Sequence, residues 1–181
     1  MFFRPLYTCA HVTEIPLTHL KEQGVSLVIL DLDNTLKKPH TTEVCPSIME
    51  WLTLCDKVGL TCVCVSNNKN MAYCAESENQ LGIPVVYKAH KPFGKATRLM
   101  LHQHNVRPNQ AVLIGDRPLT DIWGAHHHGM HSILVDPLKK GEEPLHYVVL
   151  RWLERRVIGK PIFPHPYPTH LDLASNTTAS E

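Results

Sequence analysis

The sequence predicts an α/β domain built on a doubly wound, mostly parallel sheet with helices on both faces. Short apolar, β-branched runs alternate along the chain with segments of helical period. The runs are continuous rather than alternating in polarity, as strands covered on both faces are. Acidic, hydroxyl and basic residues sit at or just beyond the carboxyl ends of those runs, where open α/β sheets bind ligands.

Val25 to Leu30 (VSLVIL) is the first such run and ends in Asp31, Leu32, Asp33. Pro46 to Val58 sets Ile48, Leu52, Cys55 and Val58 at helical spacing, with Pro46 in the first turn and Gly59 just past the end. Leu60 to Val65 is the second buried strand, and Asn70 to Leu81 a helix closed by Gly82. Pro84 to Tyr87 is a short third strand, Phe93 to His104 a helix, and Ala111 to Ile114 a strand ending in Gly115 and Asp116. Leu119 to His128 can be helical, and Ser132 to Val135 is the last strand. Strands separated by helices imply right-handed βαβ crossovers.

Leu145, Val148, Val149, Trp152, Leu153 and Val157 follow one face of a helix over 145–158, with Arg151, Arg155 and Arg156 mostly elsewhere. Packing of that stripe on the sheet is the commonest fate of such stripes; peripheral contact with an anionic membrane and a homodimer interface are the alternatives. Pro161, Pro164, Pro166 and Pro168 and the Ser/Thr/Asn-rich end favour extended, flexible backbone. The expected organisation is one domain over residues 1–160 and a Pro-rich tail over 161–181.

Composition narrows the function class. At 181 residues, 43% hydrophobic and 19% charged, the chain suits a single packed core. A formal charge of +1 gives no global field that calls for nucleic acid. Cys9, Cys45, Cys55, Cys62, Cys64 and Cys74 show no CxxC spacing and read as free thiols, most of them buried. With no apolar run of membrane-spanning length, a reduced cytoplasm is the expected compartment, with the inner membrane face as a peripheral alternative.

The chemistry concentrates in four stretches. Asp31 to Leu36 (DLDNTL) places two carboxylates two residues apart after a buried strand, where uncompensated charge is costly. Such a site demands a cation, a proton used in catalysis, or both. Its hard oxygen donors suit Mg²⁺, and Asp116 supplies a further carboxylate from a distant strand. Taken alone, DxD would read as a solvated acidic turn. Ser66 in VSNN, Lys91 in KP, and Gly115, Asp116 and Asp121 in GDRPLTD complete the set.

Together, and in this order, these stretches resemble the four motifs of the haloacid dehalogenase (HAD) superfamily. YKAHKPFGKA at 87–96 and ILVDP at 133–137 are similar to the YqeG-type phosphatases of subfamily IIIA, which are related in turn to phosphatidylglycerophosphate phosphatases. The resemblance spans roughly residues 10–160. It implies a HAD-like Rossmannoid fold and a Mg²⁺-dependent phosphatase that forms an aspartyl-phosphate. Asp31 would be the nucleophile, and Asp33 the general acid and then base. The metal would be held by Asp31, Asp116 and the main-chain carbonyl of Asp33. Ser66, Lys91 and main-chain N–H groups near Asn34, Thr35 and Asn67 would bind the phosphoryl oxygens, with Asp121 behind the metal or water.

The 35 positions from Asp31 to Ser66 and the 25 from Ser66 to Lys91 leave no room for an inserted cap domain. Capless relatives tend toward large substrates or a partner that closes the site, and a phospholipid phosphate is one candidate. Lys95 competes with Lys91, Asn68 to Asn70 read as the polar start of a helix, and His126, His127, His128 and His131 as a surface cluster. A binding or regulatory protein that kept the fold is the alternative function.

Overall fold

The computed structural model describes residues 3–41, 43–138, 152, 154, 156 and 158–163. Six parallel strands form one sheet: β1 (Tyr7–Cys9), β2 (Leu27–Leu30), β3 (Thr61–Val65), β4 (Val85–Val86), β5 (Ala111–Gly115) and β6 (His131–Val135). Their order is β1-β6-β5-β2-β3-β4. From β2 the chain steps outward through β3 and β4, then crosses back to β5 on the other side. The crevice over β5, β2 and β3 is therefore the point where the winding reverses, which is where doubly wound sheets place ligands.

Alternate strand residues serve different helical layers, because side chains point to opposite faces with a period of two. Val28, Leu30, Cys64, Val112 and Ile114 face α1 (Leu17–Glu22), α2 (Pro46–Lys57) and α3 (Met71–Leu81). Leu27, Ile29, Val63, Val65 and Leu113 face α4 (Lys95–Gln103) and α5 (Trp123–His127). All four β2 residues are fully buried, which is why that segment reads as an unbroken apolar run. In α2, Ile48, Trp51, Leu52 and Cys55 supply the inward stripe. Asn70 caps α3 by accepting from the Tyr73 N–H, and Gly82 ends it at φ 66°.

The doubly wound parallel fold is as expected, and the departures are local. β4 shrinks to two residues. The helix expected from Phe93 begins only at Lys95, because Gly94 takes an extended N-cap and lies so close to the Ala89 carbonyl that a Cβ there would overlap it. The segment after β5 first winds as a wide π-type turn, Pro118–Ile122, before α5. β1 and α1 had no sequence expectation: three and six residues are too short to show a period, and they form by docking Tyr7, Leu17 and Leu20 into a core already made by others.

Late residues return to the N-terminus. Phe3 bridges Ile158, while Ile162 and Phe163 donate to the Pro5 and Leu6 carbonyls. Phe163 packs on Tyr7 and His19. Of the helix expected over 145–158, only residues 152, 154, 156 and 158 are described, with 152 and 154 helical; the tail beyond 163 lies outside the described residues.

Candidate active site

The turn after β2 is wound by its own backbone and pinned by apolar anchors. Asp31 extends the ladder by donating to the Ile114 carbonyl, and Leu32 and Leu36 are fully buried on the α2 side. Between them Asn34 adopts φ 67°, a left-handed conformation that asparagine tolerates better than most residues. The Asn34 N–H donates to the Lys37 carbonyl, and Leu36 and Lys37 donate back to Leu32. Thr35 is buried, and its hydroxyl has no hydrogen-bond partner among the described residues.

Charge gathers at the winding reversal. Lys91 Nζ lies 2.5 Å from Asp31 Oδ1 and 2.8 Å from Asp121 Oδ1, with the lysine side chain 3% exposed. Asp31, Asp116 and Asp121 each bring a carboxylate oxygen to within 4.8 Å of the others. Asp31 and Asp121 thus share one ammonium, with the buried Asp116 carboxylate beside them. Burial pushes Asp31 up to about 7; Lys91 opposes that shift, and Asp121 and Asp33 add to it. Burial alone would lower Lys91, but Asp121 and Asp31 on either side outweigh it and hold the lysine charged. The three carboxylates, a cluster of hard oxygen donors, fit a divalent cation.

The lysine is fixed from behind. Asn67 Oδ1 accepts from the Lys91 N–H at 2.7 Å, and Asn67 Nδ2 donates to the Lys91 carbonyl at 3.1 Å. This side chain therefore binds the Lys91 backbone, while the Ser66 hydroxyl accepts from the Asn68 N–H at 3.0 Å. Lys95 is exposed at the first turn of α4, away from these ion pairs.

Asp121 is fully buried inside the acidic group. Its Oδ2 accepts from the Arg117 N–H at 3.0 Å, a bond made by the wide turn that brings residue 121 back beneath residue 117. Gly115 makes room: a Cβ there would overlap the Asp121 carboxylate. Gly115→Ala is therefore expected to cost about 1–3 kcal/mol by overpacking and to weaken metal activation roughly 10- to 100-fold. Thermal unfolding and a Mg²⁺ titration of activity check both. The Arg117 guanidinium makes a two-point contact with buried Glu154, at 2.7 Å and 3.2 Å, which ties the late chain to the Asp116–Asp121 loop.

Asp33 turns away from the acidic group. Asn68 Nδ2 donates to its Oδ2 at 3.0 Å and the Tyr73 hydroxyl to its Oδ1 at 2.8 Å. A metal contact through the Asp33 main-chain carbonyl is independent of this carboxylate. Asn68 and Tyr73 were missed from sequence. Asn68 is more than a polar helix start, and Tyr73 carried no signal beyond its place one turn into α3. Lys37, although it follows the turn in a loop, is buried: its Nζ donates to Ser77 Oγ and lies 4.5 Å over the Tyr73 ring. Its backbone pairs with Asp33, so the turn folds the lysine inward onto α3.

The remaining expectations are quickly placed. All six cysteines are free, Cys45 exposed and Cys62 half-buried. His127 packs edge-on against Phe93, and His126 lies against Phe3. Among the described residues no helix is long and apolar enough to cross a membrane.

The sequence model of the family described as mitochondrial PGP phosphatase matches residues 1–139. A Bacillus subtilis protein named "Probable phosphatase YqeG" is 36% identical over 141 residues, 78% of this chain and 81% of its own. Phosphatidylglycerophosphate phosphatase 1, chloroplastic, of Chlamydomonas reinhardtii is 35% identical over 144 residues, 75% of this chain and 53% of its own, so this chain spans about half of that relative. Among solved structures, the cobalt-bound deoxy-D-mannose-octulosonate 8-phosphate phosphatase of Haemophilus influenzae superposes with a TM-score of 0.56 at 14% identity, over 88% of this chain and 90% of that one.

Proposed function

The chain belongs to the mitochondrial PGP phosphatase family of HAD-type phosphatases, and on that premise we propose that it hydrolyses a phospholipid phosphate monoester with Mg²⁺, through an aspartyl-phosphate on Asp31. The supporting observation is the Lys91 ammonium set between Asp31 and Asp121 at the carboxyl end of β2. That contact orients one carboxylate oxygen of Asp31 and supplies positive charge where a phosphoryl group would arrive.

In the proposed reaction an Asp31 oxygen forms a bond to phosphorus as the bond from phosphorus to the alkoxide breaks. Asp33 gives its proton to that alkoxide. It then takes a proton from the water whose oxygen attacks phosphorus, which releases inorganic phosphate and restores Asp31. Asn68 and Tyr73 both donate to the Asp33 carboxylate, so the side chain leaves these partners to reach the alkoxide and returns to them afterwards. Ser66, Lys91 and main-chain N–H groups near Thr35 and Asn67 would bind the phosphoryl oxygens; the Asn34 N–H, expected among them, is taken by the Lys37 carbonyl. Asp31, Asp116 and the Asp33 carbonyl would hold Mg²⁺, with Asp121 behind it. The ion, when bound, supplies charge stabilisation to the phosphoryl oxygens.

The lipid follows from what relatives are named for and from the absence of room for a cap between the motifs. The reading keeps the enzyme outside the bilayer, at a membrane face. The test is phosphate release from an aryl phosphate and from phosphatidylglycerophosphate in micelles, with Mg²⁺ and then with EDTA. We expect EDTA to abolish both activities and Mg²⁺ to restore them, with the lipid preferred by at least about tenfold in kcat/KM. Full activity in EDTA would sink the metal assignment, and equal rates the lipid.

A further inference from the structure

The catalytic edge exposes apolar side chains that its own core does not use. Met71 opens α3 at 63% exposed, Phe93 precedes α4 at 56%, and Tyr87 follows β4 at 37%. All three lie on the β3–α3 and β4–α4 connections, the same connections that carry Ser66 and Lys91. The Tyr87 hydroxyl donates to Met71 Sδ at 3.4 Å, so the two loops share one apolar patch. Phe93 stands edge-on to Trp123, with ring centroids 4.9 Å apart.

These side chains are interleaved with exposed cations. Lys69, Lys88 and Lys95 are exposed, and none forms an ion pair among the described residues. From Asn79 to Gly115 the sequence contains no Asp or Glu, while it carries Lys88, Lys91, Lys95, Arg98 and Arg107. Among the described residues at this edge, Asp31, Asp116 and Asp121 are buried at the site, Asp33 and Asp136 are half-buried, and Glu43 is exposed on the loop after β2.

The loops are also held firm. Lys88 donates to the Asn68 carbonyl and Ala89 to the Ser66 carbonyl, each at 2.9 Å. The Asn67 clamp on Lys91 adds two further bonds between the same loops. A face of this kind needs no reorganisation to meet a flat surface.

We infer that this rim is a membrane-docking surface: Met71, Tyr87 and Phe93 enter the interfacial layer of an anionic bilayer, and Lys69, Lys88 and Lys95 lie among its headgroups. Amphipathic aromatic and thioether side chains suit that layer, and each nearby lysine adds attraction to anionic lipid. The inference deepens the proposed lipid substrate and rests on that reading, since the docked rim would carry Asp31 to a phosphate that never leaves the membrane. It assigns contact to the catalytic rim rather than to the 145–158 helix.

The test is co-sedimentation of the full chain with vesicles of phosphatidylcholine alone and of phosphatidylcholine with phosphatidylglycerol in equal parts. Three proteins are compared: wild type, Lys69→Glu/Lys88→Glu, and Met71→Ser/Tyr87→Ser. Aryl phosphate hydrolysis is followed in parallel as the check on folding and on the phosphatase reading. We expect wild type to bind the anionic vesicles and to be released by salt, and each double variant to lose binding at least about tenfold with aryl phosphate turnover unchanged. Equal binding by wild type and both variants, or no wild-type binding to anionic vesicles, overturns the rim. Rim-dependent binding without release of phosphate from phosphatidylglycerophosphate would leave the rim standing and remove the lipid substrate.

Discussion

Asp31→Asn is expected to lose phosphatase turnover by about 10⁴-fold or more and, in EDTA at neutral to alkaline pH, to unfold at a higher temperature than wild type. The first effect follows from removing the atom proposed to bond phosphorus. The second follows from the crowding of buried charge, since Asp31 and Asp121 share the Lys91 ammonium and the Asp116 carboxylate lies within 4.8 Å of both. Burial holds the Asp31 carboxyl up at about 7, well above the ordinary value of 3.8. Folding therefore favours its protonated form, and the associated stability is present in full below the ordinary pKa and is lost as pH rises through about 7. An asparagine has nothing to lose over that range, so the gap between variant and wild type should open above pH 7 and close on acidification. Melting curves in EDTA across that range check the sign. A variant less stable than wild type at pH 8 would contradict this effect of crowding, and retention of a quarter of the activity would remove Asp31 as nucleophile.

Lys91→Met should act in the opposite sense on stability. It leaves Asp31 and Asp121 without their shared cation, both in buried surroundings. Removing one partner of a buried ion pair typically costs about 3–5 kcal/mol, which for a domain of this size is roughly 10 °C in Tm. Turnover should fall together with stability, because the same ammonium is proposed to meet the phosphoryl oxygens. Added Mg²⁺ should restore part of the Tm, since the carboxylates freed of lysine remain able to hold a cation, and it should not restore the turnover. An unchanged Tm would mean that the three carboxylates are compensated in some other way.

The parts of the site that could be read from sequence are those delivered by regular elements. Asp31, Ser66 and Asp116 each follow a continuous apolar run, and such runs become neighbouring parallel strands whose ends share one edge. KP after the short third strand brings Lys91 to the same edge, whereas its ion pair with Asp31 has no local signature. Contacts made by irregular backbone were not legible in the same way. The wide turn Pro118–Ile122 carries Asp121 into the acidic group, and no periodicity announces a π-type winding. The Asp33 carboxylate is captured by Tyr73, a residue forty positions away whose neighbours looked like an ordinary helix start. Lys37 reads as a loop cation, yet its stem lies under α3 because the turn at Asn34 reverses the chain. Glu154 is one charge in a segment whose apolar stripe drew the attention, and its pairing with Arg117 has no local signature. β1 and α1 are shorter than the windows in which a period can be counted.

The measurement that bears most directly on the central claim is acid quench of the enzyme during turnover, followed by peptide mapping of the covalently bound phosphoryl group. The account predicts one phosphoryl group on Asp31, discharged by water within the turnover time in wild type and absent from Asp31→Asn. A phosphoryl group on any other residue, or multiple turnovers with no covalent phosphoprotein and full activity in Asp31→Asn, would contradict it.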